Sequence, residues 1–299
     1  MKVIDVLIVG AGPAGIGALT YLSRSKASYL WVDKGAPGGK LLNIADISNC
    51  PGFLPQNGFS LARNLLKPLE DKGIYPQYGE VSDIKKENDL FCVSINGEIQ
   101  LFKSVLICTG LSYLAKIKGE KEYLGKGISY CATCDGPLYK DKIVALEGEG
   151  ARSYEEALYL LDLVKELHLF YKGETFYLET PKSNKLILHP YSIVREVVGD
   201  GTKVTKIIYN EKGEKQELAV NAFFPLNNEK LNKSFFSSLS IKEKNGSLVV
   251  NDDMMTSLPG VFAAGDLINK PLKQVITALS DGALASRGIL SYLRGLKDE

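Results

Sequence analysis

Two cysteines three positions apart, in Cys131-Ala132-Thr133-Cys134, are the residues of this chain best suited to chemistry. At that spacing the sulfurs can close a small disulfide ring. One thiol at a helix N-terminus has a lowered pKa, and such a dithiol exchanges readily with a partner's disulfide. Asp135 follows directly, a carboxylate able to shuttle a proton as thiolate becomes thiol. The alternatives are a zinc site and a pair of buried core cysteines. Zinc wants two further ligands at similar spacing, and the only histidines, His168 and His189, have no partner nearby in the sequence. No metal is therefore expected, and both histidines read as plain parts of strands. Cys50, Cys92 and Cys108 are scattered, the last two reading as small hydrophobes in strands. An odd cysteine count with one close pair suits a reducing compartment.

A second constellation is Gly10-Ala11-Gly12-Pro13-Ala14-Gly15, directly after a strand and at the start of a helix. The first glycine allows the tight turn, the second lets backbone N–H groups approach a pyrophosphate, and the third lets helix and strand pack closely. The positive end of the helix then faces the phosphates. Asp33 ends the next strand, where a carboxylate can take ribose hydroxyls. A dinucleotide is expected here, and the loop alone leaves NAD and FAD open. Gly265 and Asp266 favour the flavin, since they follow a short apolar strand and precede a helix start. A carboxylate there can hold ribityl hydroxyls, while the helix start faces the ring edge on which reduction places negative charge. The plainer reading is a strand-turn-helix with a surface aspartate.

A third loop, Gly148-Glu149-Gly150-Ala151-Arg152-Ser153, has the outline of another dinucleotide turn, yet Glu149 and Arg152 sit where small neutral residues are usual. A carboxylate beside a pyrophosphate is a like-charge contact that opposes binding.

The elements that must position these residues follow from periodicity. Strand Val3–Val9, helix 13–24 and strand Tyr29–Asp33 form a βαβ unit, which implies a parallel sheet with a right-handed crossover. A helix is expected over 60–72, a strand over 142–146 before the third loop, two hairpins over 197–220 and a final helix over 272–293. From about residue 113 the character changes, and it changes back near 245. The expected organisation is one domain split around another: 1–112 with 246–299 as a FAD-binding domain, and 113–245 as a central redox domain. At 299 residues the chain is comfortable for two domains. A net charge of +1 gives no basic excess for nucleic acid, and no apolar run is long enough to span a bilayer. The N-terminal apolar run is short and ends in the glycine loop, so it reads as a buried strand, and a cytoplasmic location is expected.

The chain resembles the low-molecular-weight thioredoxin reductase family, flavoprotein disulfide reductases built from two dinucleotide-binding folds. The resemblance covers almost the whole length, through GAGPAG, GAPGGKLLN, SNCPGF, CTG, GISYCATCDG, LPGVFAAGD and KQVITALSDGALA. It implies an α/β fold of two Rossmann-like, three-layer ββα domains, the second inserted into the first. It implies FAD held by Gly10, Gly12, Pro13, Ala14, Gly15, Asp33 and Lys34, with Gly39, Lys40, Leu41 and Asn49. Thr109, Gly110, Gly265, Asp266, Lys273, Gln274 and Val275 complete the set. Lys40 stands where the family usually has glutamine, and Cys50 where it has an aromatic residue. In such a protein Cys134 faces the flavin, Cys131 attacks the thioredoxin disulfide, and Asp135 is the acid/base. A homodimer is also implied.

NADPH-dependent members carry a His-Arg-Arg run and a further arginine that grip the 2′-phosphate. Here the stretch after the third loop's strand retains only Lys172, with Glu174 and Glu179 nearby. One variant of the family takes electrons singly from ferredoxin, and this sequence resembles it. Ferredoxins are usually acidic, so a basic patch is expected, with Lys40, Lys67, Lys72, Lys270 and Lys273 as candidates. The alternatives are an NAD(P)H-dependent reductase with an atypical nicotinamide site and a non-catalytic flavin redox sensor.

Overall fold

The run Val3–Val9 is apolar except at Asp5, and it forms an inner strand of a parallel sheet. The computed structural model of the chain describes residues 2–44, 46–113, 117–177, 180–226 and 229–298. Asp5 is satisfied at the strand's start, accepting from Lys103 Nζ and Ser28 Oγ at 2.8 Å each. The chain divides into two compact units, one of Met1–Ser112 with Lys230–Glu299, the other of Tyr113–Glu229.

In the first unit the strand order is Gln77–Tyr78, Tyr29–Asp33, Val3–Val9, Glu98–Ile107, Leu90–Ile95, Val81–Glu87. The long strand Glu98–Ile107 pairs in parallel with Val3–Val9 along one side. It pairs antiparallel with Leu90–Ile95 through its first half, and Val261–Ala263 joins at Val105 to Ile107. Helices Pro13–Leu22 and Val275–Asp298 cross on one face. A Cβ on Gly282 would lie 2.0 Å from Ala14 O, so the glycine lets the backbones touch. Two apolar clusters fill the faces of this sheet, one of them built on Phe91, Phe102 and Phe236, the other on Ile16, Leu19 and Phe262.

The second unit holds a four-stranded parallel sheet ordered Leu186–His189, Glu166–Phe170, Ile143–Glu147, Ala222–Pro225. The meander Ser192–Gly199, Val204–Glu211, Glu214–Ala219 supplies the two expected hairpins. Helix Gly150–Leu163 packs on the parallel sheet through Ala157, Leu160 and Leu161. Each unit thus combines a parallel sheet, an antiparallel layer and helices, the two-dinucleotide-fold architecture.

The units divide at Ser112 and at Lys230, whereas composition puts the return near 246. The stretch 230–245 looks polar by composition. Its Leu231, Phe235, Phe236 and Leu239 are nonetheless buried in the first unit's core, and Ser238 Oγ donates to Ile84 O at 2.8 Å. Element ends shift for local reasons. The helix expected over 60–72 runs Gly58–Glu70 because Asn57 caps it, its side chain accepting from Ser60 N at 2.8 Å. The last helix begins at Val275, where Thr277 Oγ1 accepts from Gln274 N at 3.0 Å and fixes the start.

Candidate active site

Gly10 leaves its strand at φ 116°, where a Cβ would lie 2.4 Å from Cys108 O. On Gly15 it would lie 2.1 Å from Gly10 O. Gly12 is the opposite case, with nothing within 4 Å of such an atom, so the surface over it is open. Helix Pro13–Leu22 starts with no side-chain cap and no acidic residue in its first turn, which leaves its N–H groups to a ligand's oxygens. Ala14, in that first turn, is buried. Asp33 closes the loop: Oδ2 accepts from Ala11 N at 2.6 Å and Oδ1 from Gly35 N at 2.7 Å. Lys34, next to it, pairs with Glu80 on the surface at 3.4 Å.

Distant segments close on this turn. Gly38 N donates to Ala11 O at 2.8 Å, which brings Gly39 against Gly12, and Leu41 is buried behind them. Lys40 Nζ lies 3.8 Å from Asp266 Oδ2, and Asn49 Nδ2 donates to Gln274 Oε1 at 3.1 Å. Gly265 N donates to Asp281 Oδ2 at 3.1 Å. Thr109 is exposed beside Gly110, which has φ 63°, while Lys273 and Val275 are half-buried. An open glycine cradle, an uncapped helix start and the polar side chains of Lys40, Asp266, Asn49 and Gln274 fit a long dinucleotide such as FAD.

Three of the five lysine candidates pair with carboxylates. Lys270 is largely buried and donates to Asp281, Lys67 pairs with Asp71 along its own helix, and Lys40 faces Asp266.

In the second unit Cys131 and Cys134 are joined as a disulfide, Cα to Cα 5.3 Å. Cys131 is the N-cap of a short turn of helix, Ala132–Asp135, and its Sγ accepts from Cys134 N at 3.1 Å. Thr133 Oγ1 is 3.3 Å from the same sulfur. The other two leading amides point elsewhere: Ala132 N and Thr133 N donate to Glu156 Oε2 at 2.6 and 3.2 Å. The charge of Asp135 reaches Tyr139, whose phenol is pushed up to about 12 by burial and by that carboxylate.

The third glycine loop keeps its geometry, with Gly148 packed against Ser153 and Gly150 at φ 81°. Its chemistry is inverted relative to the first. There, a carboxylate at the strand end (Asp33) accepts from a loop amide. Here, the loop carboxylate, Glu149 Oε1, accepts from Lys172 N beyond the strand end at 2.8 Å. Lys172 and Glu174 are exposed, whereas Glu179 and the side chain of Arg152 lie outside the described residues.

Sequence reasoning missed several buried polar groups in this unit. Glu156 sits in the apolar register of its helix, in step with Ser153, Ala157 and Leu160, and that register was the available signal. Glu147 is buried at the end of its strand, accepts from Val194 N at 2.7 Å, and has its carboxyl pushed up to about 7, chiefly by burial. Glu120 accepts from Tyr130 Oη at 2.6 Å and from Ile117 N at 3.1 Å. The two histidines are not plain strand residues. Parallel pairing sets His168 Nδ1 2.9 Å from His189 Nε2, with Glu166 on the far nitrogen at 2.7 Å. Burial and its neighbour push His189 down to about 4. Among the described residues no group of three potential ligands gathers for a metal.

Residues 4–282 match the pyridine nucleotide-disulphide oxidoreductase family, the class that this fold and a redox disulfide define. The thioredoxin reductase of Treponema pallidum is 34% identical over 312 residues, covering 98% of each chain. The crystal structure of thioredoxin reductase from Streptococcus pyogenes superposes with TM-score 0.87 at 32% identity, over 98% of this chain and 99% of that one. A ferredoxin-flavin thioredoxin reductase from Clostridium acetobutylicum gives TM-score 0.58 at 26% identity, over 100% of each chain. The chain belongs to the low-molecular-weight thioredoxin reductase family within that class. It is an oxidoreductase, and FAD is its cofactor. No helix among the described residues is long and apolar enough to cross a membrane.

Proposed function

We propose that this protein reduces a thioredoxin disulfide through Cys131 and Cys134, and that its electrons come from a ferredoxin and not from NADPH. The observation that carries the donor assignment is Glu149: its carboxylate lies at the mouth of the third loop, bonded to Lys172 N. A pyrophosphate entering there meets a negative charge, and Lys172 alone cannot make the bidentate grip that a 2′-phosphate needs.

FAD would be held by Gly10 to Gly15, Asp33 and Lys34, with Gly39 to Leu41 and Asn49. Thr109, Gly110, Gly265, Asp266 and Lys273 to Val275 would complete the set. Bound there, the flavin supplies a centre that can take electrons singly and deliver two to a disulfide. Two electrons and two protons convert the Cys131–Cys134 disulfide to a dithiol. Cys131 Sγ, as thiolate, then attacks one sulfur of the thioredoxin disulfide, and the other sulfur leaves as a thiol once protonated, with Asp135 as the proton's carrier. Cys134 Sγ attacks Cys131 Sγ, re-forms the internal disulfide and releases dithiol thioredoxin. The protein acts in the cytoplasm as a homodimer.

The rival donor, NAD(P)H, has two observations on its side. The family is named for pyridine nucleotides, and helix Gly150–Leu163 starts without a side-chain cap. Anaerobic titration of the flavin absorbance separates the two. The oxidised protein stays yellow with NADPH or NADH, and reduced ferredoxin bleaches it while two thiols per chain appear. Rapid bleaching by micromolar NADPH would overturn the donor assignment and leave the thioredoxin chemistry intact.

A further inference from the structure

Three amides lead the turn that carries the disulfide, and they are shared unequally. Cys134 N serves Cys131 Sγ, while Ala132 N and Thr133 N both serve Glu156 Oε2. Those two N–H groups are the donors that would otherwise stabilise negative charge on the N-cap sulfur. Glu156 reaches them from the helix Gly150–Leu163, whose buried face carries it inward, and only 8% of the residue is exposed. The helix that a nicotinamide-binding fold uses to face a pyrophosphate thus also sends a side chain to the disulfide.

We propose that Glu156 is a positioning residue that sets the exchange chemistry of Cys131. Its carboxylate holds the turn through Ala132 and Thr133 and, by standing on the same donors, disfavours the Cys131 thiolate. A dithiol whose thiolate is disfavoured is a stronger electron donor, because the disulfide becomes the more stable partner of the couple. That direction suits a protein that must drive electrons outward into a partner's disulfide. The inference rests on the reading of Cys131 as the exchange thiol and is independent of the electron donor.

The test compares wild type with Glu156→Gln, which keeps an acceptor oxygen and loses the charge, and Glu156→Met, which has similar volume and neither. Full-length holoprotein is equilibrated with dithiothreitol redox buffers, and the dithiol fraction is read by thiol alkylation and mass. The rate at which iodoacetamide modifies the reduced pair at neutral pH is the second readout. Both variants should shift the equilibrium toward the dithiol and speed alkylation, each by about threefold or more, as removal of a like charge a few ångströms away requires. Thermal melting is followed in parallel. Unchanged equilibrium and alkylation with a lowered melting temperature would overturn the proposal, leaving Glu156 as a structural cap only. A shift in the opposite direction, or failure of both variants to fold, would overturn it too. Neither readout involves ferredoxin or thioredoxin, so a wrong donor leaves these results untouched.

Discussion

Cys131 and Cys134 differ in environment although they share a ring. Cys131 caps the short turn and has Thr133 Oγ1 and Cys134 N beside its sulfur. In the proposed function Cys131 attacks and Cys134 resolves, which makes the two single variants distinguishable. Cys134→Ser should accumulate a covalent adduct with oxidised thioredoxin, seen by non-reducing electrophoresis and lost on adding dithiothreitol, whereas Cys131→Ser should form none. Glu147 makes a different prediction, about stability. Its carboxyl rises from 4.5 to about 7 in the folded chain, chiefly by burial, so the folded state binds the proton more tightly than the unfolded one. The stabilisation that follows is complete below about 4.5 and is lost as pH rises through 7. Its full span is on the order of 3 kcal/mol. Glu147→Gln should therefore flatten the fall in stability across that window, measured by urea unfolding at a series of pH values. An unaltered pH profile in the variant would rule this out.

Among the elements, the first strand-turn-helix unit is the proposed cradle for the cofactor, and its backbone comes closer there than side chains would allow. Gly10→Ala would force a Cβ into Cys108 O at a φ that only glycine adopts easily. The turn must shift, and purified protein should carry substoichiometric flavin by absorbance, with a loss of stability of about 1–3 kcal/mol. Stoichiometric flavin in that variant would mean that the turn is not the cradle. This unit was legible almost completely in the sequence: Val3–Val9 and Tyr29–Asp33 fall where periodicity put them, and the helix starts at Pro13. Helix ends were less legible, because Asn57 and Thr277 set them through single side-chain bonds that hydrophobic spacing does not encode.

For the whole molecule, the proposed function has electrons pass from a flavin held by the first unit to the disulfide of the second, so both halves of the chemistry depend on one continuous polypeptide. The first unit also exposes Leu54, Phe59, Tyr75 and Tyr78. Light scattering should return twice the chain's 32.7 kDa, and a monomer at micromolar concentration would contradict the homodimer. The inserted unit was visible as a change of character near residue 113. Its end was misplaced by composition, since four buried apolar residues within a polar stretch were enough to return the chain to the first core at Lys230.

What the order of residues determined by itself was whatever depends on near neighbours: glycines spaced for a tight turn, cysteines spaced for a ring, and the alternation of strand and helix. Such features arise from local sterics and periodicity, which contiguous residues carry within them. Tertiary structure alone decided the meetings of distant groups. Glu156 reaches the disulfide turn, Glu149 the backbone beyond the next strand, Lys270 the carboxylate of Asp281, and His168 meets His189. Each depends on strand register and on which face of a helix is buried, and a charge acquires its consequence only when folding removes water and sets its partner.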